Sequence, residues 1–233
     1  MVPKLVMIEN SMIELSLLNC QLKVNFLMVT NSAVLTSRRS RASKLSPEKR
    51  REQLLRCGLK VFALRGIGSA RHAEIAEEAG VAVPTVFSYF PTREVLVRDV
   101  LAEVDAFLTQ ALLSALDNGN SVFEKFLLVT RTFSESVTSA PDVIKIWLDW
   151  STAMHDETWP QYEILQNKMV TRFADVVRDG QSKGELRERV NPEIAAYMVV
   201  SGGPMIAQMK LTQRSPEFID EYLNTLVQGA LMP

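Results

Sequence analysis

The chain has 233 residues, 47% hydrophobic and 23% charged, the balance of a globular protein with a sizeable core rather than a disordered or collagen-like one. Two cysteines, Cys20 and Cys57, exclude a disulfide framework, and the two histidines, His72 and His155, do not complete a zinc cluster with them. The net charge of −1 hides an asymmetry: residues 1–36 are neutral, residues 37–72 carry eleven Lys/Arg against Glu48 and Glu52, a net of +9, and residues 73–233 carry thirteen basic against twenty-three acidic residues. A basic head on an acidic body points to a polyanion partner for the head, where the plainer alternative is a solvated charged helix.

Residues 1–36 are apolar, yet Glu14 and Lys23 interrupt them, and the longest charge-free stretch, Val24 to Ser37, is 14 residues. That falls short of the roughly 20 a membrane helix needs. Lys4 is the only positive charge ahead of Glu9, a poor signal peptide. No helical period would dock this piece on a core, so residues 1–36 are expected to be an extension outside the working fold, with Met28 as an alternative start.

The remainder reads as helix. Ser46-Pro47-Glu48 is a helix start: a Ser cap, Pro in the first turn, then an acid. Leu54, Leu55, Leu59, Val61, Phe62 and Leu64 follow on one face, and Gly66 and Gly68 end it. A short helix fits His72 to Ala79, stopped by Gly80. Another fits Pro84 to Phe90, stopped by Pro91. Thr92 caps a fourth, running to about Leu116. Further helices fit roughly 121–138, 142–154, 158–180, 192–211 and 215–230. The expectation is an all-α protein of about nine helices, an N-terminal three-helix helix-turn-helix domain followed by a C-terminal helical bundle.

The helix, glycine turn and short helix form the helix-turn-helix pattern. Ile75, Ala76, Ala79, Val81 and Val86 are spaced to close a small core, with Ala76 and Gly80 small where the helices would cross. Thr85, Ser88 and Tyr89 are left outward on the helix that would enter the major groove. Their hydroxyls can reach base edges or phosphates.

Three strings carry a family resemblance: Ile75-Ala76-Glu77-Glu78-Ala79-Gly80-Val81, Pro84-Thr85-Val86-Phe87-Ser88-Tyr89-Phe90 and Thr92-Arg93-Glu94-Val95-Leu96. They resemble the DNA-binding domain of TetR-family transcription regulators. Ile146-Trp147-Leu148-Asp149-Trp150-Ser151 and Asp156-Glu157-Thr158-Trp159-Pro160 further resemble the quorum-sensing master regulators of vibrios. There are departures. His72 stands where most of the family has Thr or Ser, Ala82 replaces a common Ser cap, and Ser88 stands where the vibrio group tends to have Asn. Asn reads adenine bidentately and Ser does not.

The resemblance implies residues 37–92 as a DNA-binding domain and 93–233 as a ligand-binding and dimerisation domain. It implies a homodimer on a pseudo-palindromic double-stranded operator, in the cytoplasm with the nucleoid. Arg38, Arg39, Arg41 and Lys44 would be a minor-groove arm, where the alternative is a solvated tail. His72, Pro84, Thr85, Phe87, Ser88, Tyr89 and Arg93 would complete the DNA surface, with His72 as a cap or phosphate contact and Arg93 on a phosphate. Thr109, Leu112, Phe133, Trp147 and Gln166 are the expected lining of a cavity for a small hydrophobic ligand. Trp150 and Trp159 are further candidates, and the alternative for each is plain core. Met154, Met169, Met198, Met205 and Met209 would fill gaps. No Ser/His/Asp order, metal spacing or phosphate loop is present in the sequence, so no enzyme, metal, cofactor or membrane anchor is expected.

Overall fold

The computed structural model describes residues 45–154 and 156–231. The expectations for residues 1–36 and for Arg38, Arg39, Arg41 and Lys44 lie outside these. The described residues are helical, with no strand among them.

Helix α1 (Pro47–Arg65) starts where Ser46 accepts the Lys49 N–H and ends at Gly66. Helices α2 (His72–Ala79) and α3 (Val83–Tyr89) follow, then α4 (Arg93–Asp117), capped by Thr92. The bundle continues with α5 (Val122–Ser139), α6 (Pro141–Ser151) and α7 (Trp159–Ser182). Helix α6 stops short of the expected 154. Thr152 and Ala153 bond back three residues, to Asp149 and Trp150, in a tightened last turn.

The expected helix 192–211 comes as two pieces, α8 (Pro192–Ser201) and α9 (Gly203–Leu211), before α10 (Pro216–Leu231). The interruption at Gly202 has a local cause. Pro204 has no N–H to donate to Val200, and its ring crowds that carbonyl.

Two apolar clusters hold the chain. One joins Leu54 and Phe62 of α1, Ile75, Val86 and Phe90 to Leu96 and Leu101 of α4 and Trp147 and Trp150 of α6. The helix-turn-helix pair therefore shares its core with the bundle behind it. The other gathers Leu116, Phe126, Phe173, Val177, Ala196 and Val227. Trp150 is fully buried, and its indole N–H donates to the Thr158 carbonyl at 3.0 Å.

Candidate nucleic-acid interface

Helices α2 and α3 meet as the spacing predicts: Ile75, Ala76 and Val86 are buried, with Ala79 and Val81 packed beside them. Gly80 is there for a different reason from the one expected. Its φ is +64°, and no atom lies within 4 Å of where a Cβ would be. It provides a left-handed cap rather than room for a helix crossing. From α1, the Gln53 amide donates to the Ala79 carbonyl at 3.3 Å, tying down the end of α2.

On α3, Pro84, Phe87 and Ser88 are exposed, Thr85 and Tyr89 half-exposed, and Val86 buried. The Ser88 hydroxyl donates to the Thr85 carbonyl at 2.7 Å. Ala82 precedes α3 without any side-chain cap, as its methyl dictates.

His72 faces the other way. It is buried, its Nε2–H donates to the Phe90 carbonyl at 2.8 Å, and its ring stacks on Phe87 at 4.2 Å between centroids. The expected cap or phosphate role is corrected: the side chain ties α2 to the end of α3, and Arg71, not His72, holds the cap position of α2. Arg93, expected on a phosphate, also has a partner within the chain. Its guanidinium donates to the Ile67 carbonyl at 2.5 Å, in the turn between α1 and α2.

Part of the positive charge is already paired. Of the seven Lys/Arg between residues 45 and 72, three bond acids from later in the chain: Arg51 with Asp99 at 2.7 Å, Lys60 with Glu78 at 3.0 Å and Arg65 with Glu74 at 2.7 Å. The hydrogen bond that Lys60 donates to Glu78 raises its ammonium above the usual range.

Behind this head the bundle encloses a cavity of about 60 Å³. Leu112 (α4), Phe133 (α5), Trp147 (α6) and Gln166 (α7) line it, as expected. Thr109 does not. Leu108 and Leu112 are four residues apart on one face of α4, and Thr109 is turned about 100° from Leu108. Its hydroxyl donates to Asp105 at 2.7 Å, beside Lys168, in an open surface groove. Trp150 and Trp159 do not reach the cavity; Trp159 packs on Tyr162. Of the methionines, Met169 lines the cavity and Met209 is buried, whereas Met154, Met198 and Met205 are exposed and fill no gap in this chain.

Among the cavity-wall residues that sequence reasoning missed are Tyr162, Thr130 and Gly203. Tyr162 was within reach of it, because 162, 166 and 169 share one face of α7. Burial pushes the Tyr162 hydroxyl up. The Thr130 hydroxyl is engaged with Leu127, while the Gln166 amide has no protein hydrogen bond among the described residues. No charged side chain lines the cavity.

Residues 54–100 match the family model for bacterial regulatory proteins of the tetR family. The chain is 36% identical over 156 residues to the HTH-type transcriptional regulator LuxR of Vibrio harveyi, covering 67% of this chain and 76% of that one. It belongs to the TetR family.

Solved structures agree on the fold. A TetR-like transcriptional regulator from Rhodococcus sp. RHA1 superposes with a TM-score of 0.66 at 18% identity, over 80% of this chain and 98% of that one. The TetR-family regulator CifR, solved as a cysteine mutant with 26-base-pair operator DNA, gives 0.65 at 18% identity, over 78% and 97%. This chain is thus a TetR-family DNA-binding transcriptional regulator. No helix among its described residues is long and apolar enough to cross a membrane.

Proposed function

We propose that this TetR-family protein is a quorum-sensing-type master regulator that binds a pseudo-palindromic operator as a homodimer, by binding and not by catalysis. The observation that carries the reading is the face of α3. Pro84, Phe87 and Ser88 stand exposed, with Thr85 and Tyr89 half-exposed beside them, on a helix that His72 ties to α2, whose own end Gln53 holds. Thr85, Ser88 and Tyr89 contact base edges and phosphates, and Pro84 and Phe87 supply apolar contact, such as with thymine methyl groups. Arg38, Arg39, Arg41 and Lys44 reach the minor groove as an arm. Residues 37–92 act as the DNA-binding part and 93–233 as the regulatory and dimerisation part. The working compartment is the cytoplasm, at the nucleoid.

The dimer reading is supported by exposed apolar side chains. Twelve large ones are exposed among the described residues, and six of them fall between Ile194 and Phe218: Ile194, Tyr197, Met198, Met205, Leu211 and Phe218. Such a concentration is what a subunit interface covers. A two-fold dimer reads two half-sites about one helical turn, or a multiple of it, apart.

The charge-free cavity takes a small, neutral, mostly apolar ligand, with the Gln166 amide as its polar contact. Such a ligand changes operator affinity by preferring one spacing of the two heads. The similarity to the Vibrio harveyi regulator supports the quorum-sensing role.

The test is a genome-wide map of bound sites at low and high cell density, with sedimentation of the purified protein. Palindromic sites beside density-dependent genes, and a dimer, are expected. A single site beside the protein's own gene, vacated on adding a metabolite, would make it an inducer-released repressor instead.

A further inference from the structure

The Ile67 peptide, in the turn between α1 and α2, is gripped on both sides. Its N–H donates to the Asp149 carboxylate of α6 at 2.8 Å, and its carbonyl accepts from Arg93 of α4. The Ile67 side chain is buried. Gly66, beside it, has φ +82°, and a Cβ there would lie 3.3 Å from the same Asp149 oxygen. Asp149 is 82 residues from Ile67 in sequence, so this bond joins distant parts of the fold.

Helix α6 has a second contact of interest. Trp147, two residues before Asp149, lines the cavity, and a Cβ on Gly203 would come within 3.0 Å of the Trp147 ring. One helix of 11 residues therefore touches the cavity with one side chain and the head with another. The turn it grips leads directly into α2, and α2 shares its core with α3. Displacing that turn moves the reading pair as a unit, because packed cores resist continuous deformation.

We propose that Asp149 is a positioning residue for operator binding. It sets the seat of the α2–α3 pair through the Ile67 N–H, and it passes displacements of Trp147 in the cavity wall to that pair. The inference rests on the reading of α3 as the operator-contacting helix.

Charge and hydrogen bonding make opposite demands at this position, which gives a clean test. Removing an acidic charge near a DNA-binding face favours DNA. Removing the acceptor loosens the turn and disfavours it. Asp149→Ala removes both, and Asp149→Asn removes the charge while keeping an acceptor oxygen. Operator affinity is measured on active molecules counted by stoichiometric titration, with urea unfolding alongside. Asp149→Ala is expected to bind operator about tenfold more weakly, the size of one charge-assisted hydrogen bond. Asp149→Asn is expected to bind within about twofold of the parent protein, or more tightly. Asp149→Ala binding as tightly as the parent, or Asp149→Asn binding as weakly as Asp149→Ala, overturns the proposal.

Transmission is tested by a double-mutant cycle. Gly203→Ala drives a methyl against Trp147 and is expected to change operator affinity by at least about threefold in the parent and not in the Asp149→Ala background. An equal change in both backgrounds, or none in the parent, removes the transmission claim. Ser88→Glu serves as the control for the underlying reading. If it binds operator as the parent does, the reading of α3 fails and this inference falls with it. If Ser88→Glu loses the operator while Asp149→Ala keeps it, only the inference fails.

Discussion

His72 and Phe90 are joined by a 2.8 Å hydrogen bond that links the first turn of α2 to the residue after α3. The Phe90 side chain is fully buried, so its carbonyl has little recourse to water. His72→Ala removes that donor and the stack on Phe87. The expected loss is about 1–3 kcal/mol of stability, read as a lowered urea midpoint.

Tyr89→Phe separates packing from recognition. The half-buried ring keeps its place against the core and only the hydroxyl is lost. Stability is expected to stay within about 0.5 kcal/mol, while operator affinity falls by about three- to tenfold. Equal affinity in a filter-binding titration would take the Tyr89 hydroxyl out of the interface.

Ala82→Ser restores a cap at a position whose backbone, at φ −74° and ψ 143°, already suits one. Pro84 has no N–H to give, and the Thr85 N–H already donates to the Ala82 carbonyl at 2.8 Å, so a Ser hydroxyl there would only share that bond. The variant is expected to gain less than about 0.5 kcal/mol, well under a full cap, read from the thermal midpoint.

The two turn glycines are expected to differ. Gly80→Asn keeps a left-handed conformation that Asn tolerates, with open space at its Cβ, and is expected to lose less than about 1 kcal/mol. Gly66→Ala meets φ +82° with ψ 160°, outside that region, and the Asp149 oxygen at 3.3 Å. It is expected to lose about 1–3 kcal/mol. Paired calorimetric scans of the two variants test the order.

Much of this was legible in the sequence because it is local. The cap at Ser46, the stop at Gly80 and the apolar spacing of Ile75, Ala76 and Val86 depend on neighbours within one or two turns. The tendency of bundle interiors to hold apolar pockets pointed to Leu112, Phe133, Trp147 and Gln166, and Thr109, expected with them, is out of helical phase with Leu108 and Leu112. The inward turn of His72 was hidden because its partner, Phe90, is 18 residues away. Arg93 looked like a free cation because the Ile67 carbonyl it bonds is a backbone group that no side-chain pattern marks. The net of +9 overstated the free charge for the same reason: Asp99, Glu78 and Glu74 come from beyond the basic segment. The family strings pointed to the fold; the residue roles needed three dimensions.

The central claim is that α3 reads an operator. The most direct measurement is a titration of labelled genomic fragments at several salt concentrations, with the parent protein and Ser88→Glu. The exposed Ser88 allows that charge with little effect on folding. The account expects tight binding to a few fragments, log affinity falling linearly with log salt, and loss of that binding in Ser88→Glu. Weak binding to all fragments alike, unchanged by Ser88→Glu, would contradict it.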